Sequence, residues 1–218
     1  MLEHYRAHAD PERPWRLVIA GDLVDLVGMS IAPQPGADLS MNPEERRYGL
    51  GSSAAHAAAK MRAVAQRHSR VFDRLAAFVA DGHSLVIVRG NHDVELHWEA
   101  ARTAFLEAIT RHAPEGVDPA DLTARIELHP WFYYEVGLIY VEHGHQFDAM
   151  CSYHPLLNPV SPLDPERISP SFSDTLLRWV VRPTPGLGSN GHDHMGFVDY
   201  LRIAWSFGVG GALGLGFR

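Results

Sequence analysis

Three short apolar runs each end at a group of polar, metal-capable side chains next to a glycine. The three pairs are residues 17–20 with Gly21-Asp22, residues 85–88 with Gly90-Asn91-His92-Asp93, and residues 138–142 with His143-Gly144-His145. Runs of this length, rich in branched side chains, are typical of buried β-strands. Ligand sites in α/β folds collect beyond the carboxyl ends of strands, where several loops converge. We therefore expect the three polar groups to meet at one edge of a sheet.

The segments around these runs predict helices and a hairpin, and hence an α/β fold. Apolar residues recur every three or four positions over residues 52–80, with Ser52 or Ser53 as the N-cap and Gly82 as the stop. The other predicted elements are a helix over 94–111, a strand over 126–128, a hairpin of 131–135 with 138–142, and a short helix over 173–181. Residues 1–14 are expected to begin as part of a helix, and residues 28–43 to form a loop.

The composition limits the class of protein. With 218 residues, 46% of them hydrophobic, the chain can form one domain with a sizeable core. The formal net charge is −7 and the basic residues are scattered, so no nucleic-acid-binding surface is evident. The single cysteine, Cys151, cannot form an intramolecular disulfide, and no signal peptide opens the chain, which predicts a cytoplasmic location. The apolar stretch 197–217 adds peripheral membrane contact as a further option.

Taken singly, each polar group also has an ordinary structural explanation. Asp22 could place its carboxylate on a cation, or it could cap the next helix, which that segment alone favours. Asn91 is a weak neutral ligand that metals use only among other ligands, and the alternative is a turn after a strand. As a catalytic pair, Asp93 is expected to orient the imidazole of His92, which could donate to a phosphoryl oxygen. His143 could bind a metal through nitrogen or lie partly exposed in a turn.

Together, and in this order, the three groups resemble the motifs of the calcineurin-like metallophosphoesterase family. The matching elements are Gly-Asp-x-x-Asp from Gly21, Gly-Asn-His-Asp from Gly90 and His-Gly from His143, so the resemblance covers roughly residues 15–150. Gly-Asp-Leu-Val-Asp-Leu and the His-Gly element are similar to the branch that contains UDP-2,3-diacylglucosamine pyrophosphohydrolases. The resemblance implies a layered β-sheet sandwich flanked by helices. It also implies a metallophosphoesterase core over 1–154, followed by a Pro-rich segment and an apolar cap or tail over 155–218.

The resemblance implies a hydrolase that cleaves a phosphodiester, phosphomonoester or pyrophosphate bond with a hydroxide activated by two divalent metal ions. Asp22 would bridge the two ions, while Asn91 and His143 would bind one of them. His92 would contact the phosphoryl group and assist the leaving oxygen, and Asp25 would support its loop rather than bind metal. Manganese suits this mixture of oxygen and nitrogen ligands best, and iron and zinc stay open. The implied substrate is a phosphorylated small molecule or a lipid-linked pyrophosphate.

Two departures from the family pattern leave the function open. No Asp-x-His precedes Leu17, so we expect the first strand of the fold to be missing, with the chain starting inside the helix that follows it. Gly191-His192-Asp193-His194 matches the closing Gly-His-x-His in letters, which makes His192 and His194 candidate metal ligands. The residues before it do not predict a strand, so the motif could instead belong to an inserted cap. The alternative function is a catalytically incomplete metallophosphoesterase fold that serves as a metal-binding or interaction scaffold.

Overall fold

The computed structural model describes residues 1–10, 12–29, 31–33 and 38–181. Its helices are α1 (Leu2–Ala7), α2 (Pro43–Tyr48), α3 (Ala54–Arg67), α4 (Ser69–Ala80), α5 (Glu99–Arg111), α6 (Pro119–Thr123) and α7 (Phe172–Leu176). Its strands are β1 (Arg16–Ala20), β2 (Ser84–Val88), β3 (Ile126–His129), β4 (Phe132–Glu135) and β5 (Ile139–Glu142). Short 3₁₀ turns at Val94–His97 and His145–Phe147 and a π turn at Leu177–Val181 complete the set for these residues. The described chain is therefore mixed α/β, as the sequence predicts.

Two sheets form among the described residues. Strands β1, β2 and β3 lie side by side in that order and are all parallel, with Ala20 opposite Val88 where β1 and β2 end. Strands β4 and β5 form a separate antiparallel hairpin that turns at Gly137, whose φ of 72° glycine adopts readily. The predicted strands and the predicted hairpin are confirmed. Because β1 and β2 are parallel and end level with each other, the residues that follow them emerge at the same edge of the sheet.

The two faces of the parallel sheet bury different partners. Leu85 and Ile87 of β2 face the core formed with helices α3, α4 and α5, while Val86 and Val88 face Tyr133 of the hairpin. The four β2 side chains are at most 1% exposed. A strand that is buried on both faces is apolar along its whole length, which is why residues 85–88 show no alternation of polar and apolar positions.

The predicted helix over residues 52–80 is in fact two helices. Helix α3 ends and α4 begins at His68, whose backbone is non-helical (φ −111°, ψ 35°). Both helices bury apolar side chains in the same core, so the three-to-four periodicity continues across the break and conceals it. The predicted helix over 94–111 likewise begins as a 3₁₀ turn and becomes α-helical only at Glu99. The Ser53 N-cap is confirmed, since its hydroxyl accepts the His56 N–H at 3.4 Å.

Two short helices show no apolar periodicity in the sequence. Helix α2 begins at an Asn42 capping box followed by Pro43, and α6 begins at Asp118 followed by Pro119. These N-terminal signals are visible in the sequence, but helices of six and five residues are too short to show an apolar stripe. The first of them begins at the end of the predicted loop over 28–43, where the described residues otherwise contain no helix or strand.

A buried ammonium group joins the helical layer to two loops. Lys60 of α3 donates from Nζ to Glu95 Oε1 at 2.6 Å and to the carbonyl oxygen of Leu26 at 2.8 Å. Both charged side chains are only 2% exposed. Burial lowers the pKa of Lys60 and raises the pKa of Glu95, while their mutual attraction opposes both shifts. Leu26 belongs to the loop after β1 and Glu95 to the loop after β2, so Lys60 fixes the two loops relative to each other.

Residues 155–181 pack against this core. Ile168 lies in an apolar cluster with Val94 and Tyr153, and Arg178 pairs with Glu44 at 2.5 Å. The predicted boundary between a core over 1–154 and a following segment stays a prediction.

The residues beyond this segment were predicted to carry the closing motif and an apolar stretch. His192, His194 and residues 197–217 lie outside the described part of the chain. Within the described ranges, none of the helices has the length and apolar character needed to cross a membrane.

Replacing Lys60 with methionine is expected to destabilise the fold by about 3–5 kcal/mol, because the Glu95 carboxylate would stay buried without a counter-charge. Combining Lys60→Met with Glu95→Leu removes both charges and keeps the buried volume similar, so the double variant is expected to regain most of that loss. Urea unfolding followed by circular dichroism measures both free energies of unfolding. A double variant that is no more stable than Lys60→Met would show that the loss of stability does not come from an unpaired Glu95 carboxylate.

Candidate metal centre

The carboxyl ends of β1 and β2 place Asp22 and Asn91 next to each other. Strand β1 ends at Ala20, and Gly21 and Asp22 then both adopt positive φ values, 92° and 54°. The backbone N–H of His92 donates to Asp22 Oδ1 at 2.9 Å. This hydrogen bond fixes the Asp22 carboxylate against the loop that carries Asn91.

His143 reaches the same point from the hairpin. It directly follows β5, which belongs to the antiparallel sheet and not to the parallel one. Its Nε2 lies 3.0 Å from Asn91 Oδ1 and 3.2 Å from Asp22 Oδ2. The structure thus brings three of the predicted ligands, Asp22, Asn91 and His143, to one point from two different sheets.

The distances from His143 Nε2 to the other two donor atoms fit a shared divalent ion. An octahedral ion with ligand distances of about 2.1 Å holds neighbouring ligand atoms about 3.0 Å apart, because that edge is √2 times the ligand distance. The observed separations of 3.0 Å and 3.2 Å agree with that value. The side chains of Asp22 and His143 are 31% and 21% exposed, so an ion from solution has access to them.

The His143 imidazole is held with Nε2 toward the other two donors. Its Nδ1–H donates to the backbone carbonyl oxygen of Ala20 at 2.7 Å. A backbone acceptor on Nδ1 favours the tautomer whose free electron pair lies on Nε2, as is usual for metal-binding histidines. When the ring is protonated, Nε2–H donates to the Asp22 carboxylate instead, and this hydrogen bond raises the pKa of His143. Burial alone would raise the pKa of Asp22, but hydrogen bonds from His143 and from the His92 N–H hold it below its usual value.

Two glycines allow these side chains to approach one another. A Cβ atom on Gly90 would overlap the Asp22 carboxylate, and a Cβ atom on Gly21 would overlap the His143 imidazole. Gly21 also adopts a positive φ, whereas Gly90 lies outside the left-handed region and is needed for space alone. The glycines of both motifs therefore make room for the ligand side chains.

The His92 imidazole is oriented by Asp25, so the predicted pairing of His92 with Asp93 is wrong. His92 Nδ1–H donates to Asp25 Oδ1 at 3.0 Å, and this hydrogen bond raises the pKa of His92 to about 9. Asp25 Oδ1 also accepts the Gly28 N–H at 2.6 Å, which closes the loop after β1. Asp25 thus combines support of its loop with contact to the imidazole.

Asp93 instead binds backbone amides. Its side chain is 0% exposed, and its two oxygens accept the Gly90 N–H at 2.6 Å and the Leu23 N–H at 2.9 Å. Burial raises the pKa of Asp93 to about 6. Buried N–H groups in a turn require acceptors, and that requirement turns Asp93 inward, away from its sequence neighbour His92. Asp93 therefore joins the two ligand-bearing loops and does not contact the imidazole.

Tyr153 and Asp174, which no sequence pattern indicates, support the backbone of the Asn91 loop. The Tyr153 hydroxyl lies 3.1 Å from the backbone carbonyl oxygen of Asn91 and also donates to Asp174 Oδ2. Burial raises the pKa of Asp174. Ser171 and Asp174 form a helix capping box, so capping alone explains Asp174 in the sequence and conceals this contact.

His145 lies buried beside the centre. Its ring centroid is 5.4 Å from that of His143. Burial, together with the charges of His143 and Arg89, lowers the pKa of His145 to about 4. A neutral imidazole is therefore packed next to the ligand His143.

The described part of the chain supplies one set of three donors. Across these residues no group of three or more His, Cys, Asp or Glu side chains is placed to hold a metal ion. The third donor of the candidate centre is an amide oxygen, that of Asn91. His192 and His194 lie outside the described residues, and their role as ligands stays a prediction.

Gly90→Ala is expected to weaken Mn²⁺ binding about tenfold or more, because the added methyl group displaces the Asp22 carboxylate. Gly82→Ala is the matched control, since a Cβ atom there meets no atom within 4 Å although its φ of 94° disfavours alanine. Isothermal titration calorimetry of the chelator-stripped variants gives both affinities. Equal affinities for the two variants would rule out the steric role of Gly90.

A comparison with protein-family models finds no match to this chain, and comparisons with curated proteins and with solved structures also find none. What the protein does is therefore inferred from the contacts of its own residues.

Proposed function

We propose that the protein is a metal-dependent phosphoesterase that hydrolyses a phosphodiester, phosphomonoester or pyrophosphate bond. The observation that supports this most strongly is the meeting of Asp22, Asn91 and His143 at distances suited to one divalent ion. A second imidazole, that of His92, lies on the same loop as Asn91 and is 26% exposed. A divalent ion next to an accessible imidazole suits a phosphoryl group, whose oxygens carry negative charge.

In this proposal the described residues hold one divalent ion, and His192 and His194 contribute to a second. Asp22, whose Oδ2 lies 3.2 Å from His143 Nε2, would help to hold both ions. Manganese is the first choice for a set of carboxylate, amide and imidazole ligands, with iron or zinc next. When bound, the ions supply Lewis-acid polarisation of the phosphoryl group and activation of water for attack at phosphorus.

His92 is the proposed contact to the phosphoryl group and the donor toward the leaving oxygen. Asp25 accepts the Nδ1–H, so Nε2 is the ring atom that remains for the substrate. Asp25 acts as a positioning residue, because it fixes the ring plane and compensates the charge of the imidazole.

The fold proposed to go with this activity is a layered β-sheet sandwich flanked by helices. Its support is that the hairpin covers the face of the parallel sheet opposite the helices α3, α4 and α5. The proposed substrate is a phosphorylated small molecule or a lipid-linked pyrophosphate. The single cysteine supports a reducing compartment, and we place the protein in the cytoplasm.

The full chain is expected to hydrolyse bis(p-nitrophenyl) phosphate or p-nitrophenyl phosphate in the presence of Mn²⁺. Asn91→Ala should weaken Mn²⁺ binding and reduce turnover, because it removes a ligand. His92→Ala should reduce turnover about 100-fold with Mn²⁺ affinity unchanged, because it removes a proton donor alone. Calorimetry measures the affinity, and the absorbance of released p-nitrophenolate measures the turnover.

His112→Ala is the matched control for these variants. His112, at the C-terminal end of α5, also pairs with a carboxylate, that of Asp73 in α4, at 2.6 Å, and neither residue belongs to the loops of the centre, so both measurements should match the wild type. Equal loss of Mn²⁺ affinity in Asn91→Ala and His92→Ala would contradict the roles assigned here. Tight Mn²⁺ binding with no hydrolysis of either ester would favour the scaffold alternative.

Asp25→Asn is expected to lower turnover about tenfold while Mn²⁺ affinity stays unchanged, because the carboxylate orients His92 without being a ligand. Asp73→Asn, which changes the carboxylate beside His112 in the same way, controls for the loss of a surface charge. The same two measurements, turnover and calorimetric affinity, decide the outcome. Unchanged turnover in Asp25→Asn would exclude a positioning role.

A further inference from the structure

A cavity of about 320 Å³ lies at the carboxyl ends of β2 and β3, where Ile87 and Leu128 face the helical layer. Its basic or titratable lining side chains are Arg89, His97, Arg102 and His129. Among the described residues its wall contains no acidic side chain, and no side chain of the candidate metal centre lines it. One buried water needs only about 10–15 Å³, so this cavity has room for a molecular anion.

Arg89 brings a buried positive charge to the wall of this cavity. The residue is 4% exposed, and Nη2–H donates to the carbonyl oxygen of Leu156 at 2.6 Å. Within the described ranges, Nε–H has no hydrogen-bond partner and the guanidinium forms no ion pair. The Asp93 carboxylate attracts this cation without pairing with it. A buried cation that lacks an ion pair is costly, and an anion in the cavity would offset part of that cost.

Arg102 adds to the same positive field. Its Nη1–H donates to the carbonyl oxygen of Leu96 at 2.9 Å and also to that of His97, which holds the guanidinium at the start of α5. Burial, followed by the charges of Arg89 and Arg102, lowers the pKa of His97, so that imidazole is neutral at neutral pH. The two guanidinium groups lie close enough to repel each other, and an anion between them would relieve that repulsion.

His129 completes the wall. Its Nε2 lies 3.0 Å from Glu127 Oε2, and the Glu127 side chain is 47% exposed and does not line the cavity. Glu127 thus pairs with His129 from outside the cavity, and its carboxylate does not line the space beside the two arginines.

We propose that this cavity binds a phosphate group, either as the free ion or as the phosphoryl group of an organic ligand. Arg89 and Arg102, which both line the cavity, would attract the phosphate oxygens through their guanidinium groups. Guanidinium groups fit phosphate oxygens with paired, charge-assisted hydrogen bonds, which makes this anion a better match than a monovalent halide. The site goes beyond the proposed function and does not depend on it, because it shares no side chain with the candidate metal centre.

Calorimetric titration of the full chain with inorganic phosphate, in the presence of chelator, tests the site without any contribution from bound metal. The wild type is expected to bind one phosphate per chain, and Arg102→Gln is expected to bind it about tenfold more weakly or worse. Arg111→Gln is the matched control, since it removes the same charge from the exposed end of the same helix.

Arg89→Gln is expected to abolish binding, provided that circular dichroism shows the wild-type fold. Should that variant fail to fold, Arg102→Gln and His129→Gln carry the test. A parallel titration with phenyl phosphate separates the two sources, because tighter binding of the ester assigns the cavity to a phosphorylated ligand and tighter binding of the free ion assigns it to phosphate. No saturable binding by the wild type, or equal affinities of Arg102→Gln and Arg111→Gln, would overturn the proposal.

Discussion

The ammonium group of Lys60 holds together the two loops on which the candidate metal centre depends. One loop leaves β1 and carries Asp22, and the other leaves β2 and carries Asn91. Lys60 reaches the first through the Leu26 carbonyl and the second through Glu95. Separating the loops would leave two charges in apolar surroundings without partners, which is far more costly than the net worth of the pair. The buried charges therefore contribute specificity of loop position more than overall stability.

Hydrogen bonds from the backbone to side chains, rather than helix or strand pairing, hold the rest of these loops in place. Asp93 accepts backbone N–H groups from both loops, and Asp25 accepts one within its own. Buried backbone N–H groups need hydrogen-bond acceptors, and acidic side chains in such turns serve as those acceptors. Asp22 differs from the other two because its Oδ2 faces His143, while its Oδ1 accepts from the backbone of His92. The density of carboxylates in the motifs thus overstates the number of candidate ligands.

The parts of the fold that could be predicted from the sequence depend on patterns among residues close together in the chain. Residues 85–88 are apolar at every position because β2 is buried on both faces, and a glycine with polar residues follows closely. The meeting of Asp22 and Asn91 at one sheet edge followed from the parallel strand ends, whereas His143 arrives from the separate hairpin. What could not be predicted depends on contacts that are distant in the chain. Asp25 reaches His92 across 67 positions, while the adjacent Asp93 does not.

The burial of Lys60 and Arg89 could not be predicted from the sequence for the same reason. Lys60 lies in an alanine-rich helix, where a lysine usually faces solvent, and it nevertheless sits in the core with Glu95. Arg89 follows an apolar strand, and no sequence pattern around it indicates that its charge is buried without an ion pair. Whether such a cation is paired depends on residues that arrive from elsewhere in the fold.

Asp22 has a left-handed backbone, with φ 54°, which costs a residue with a Cβ atom roughly 1–2 kcal/mol. Glycine would adopt this conformation without that cost and would also remove a partly buried carboxylate. Mutation under selection for stability alone would therefore replace Asp22 sooner than the apolar residues of β1 beside it. Natural variants of the chain that retain Asp22 would thus indicate selection for the function of the centre.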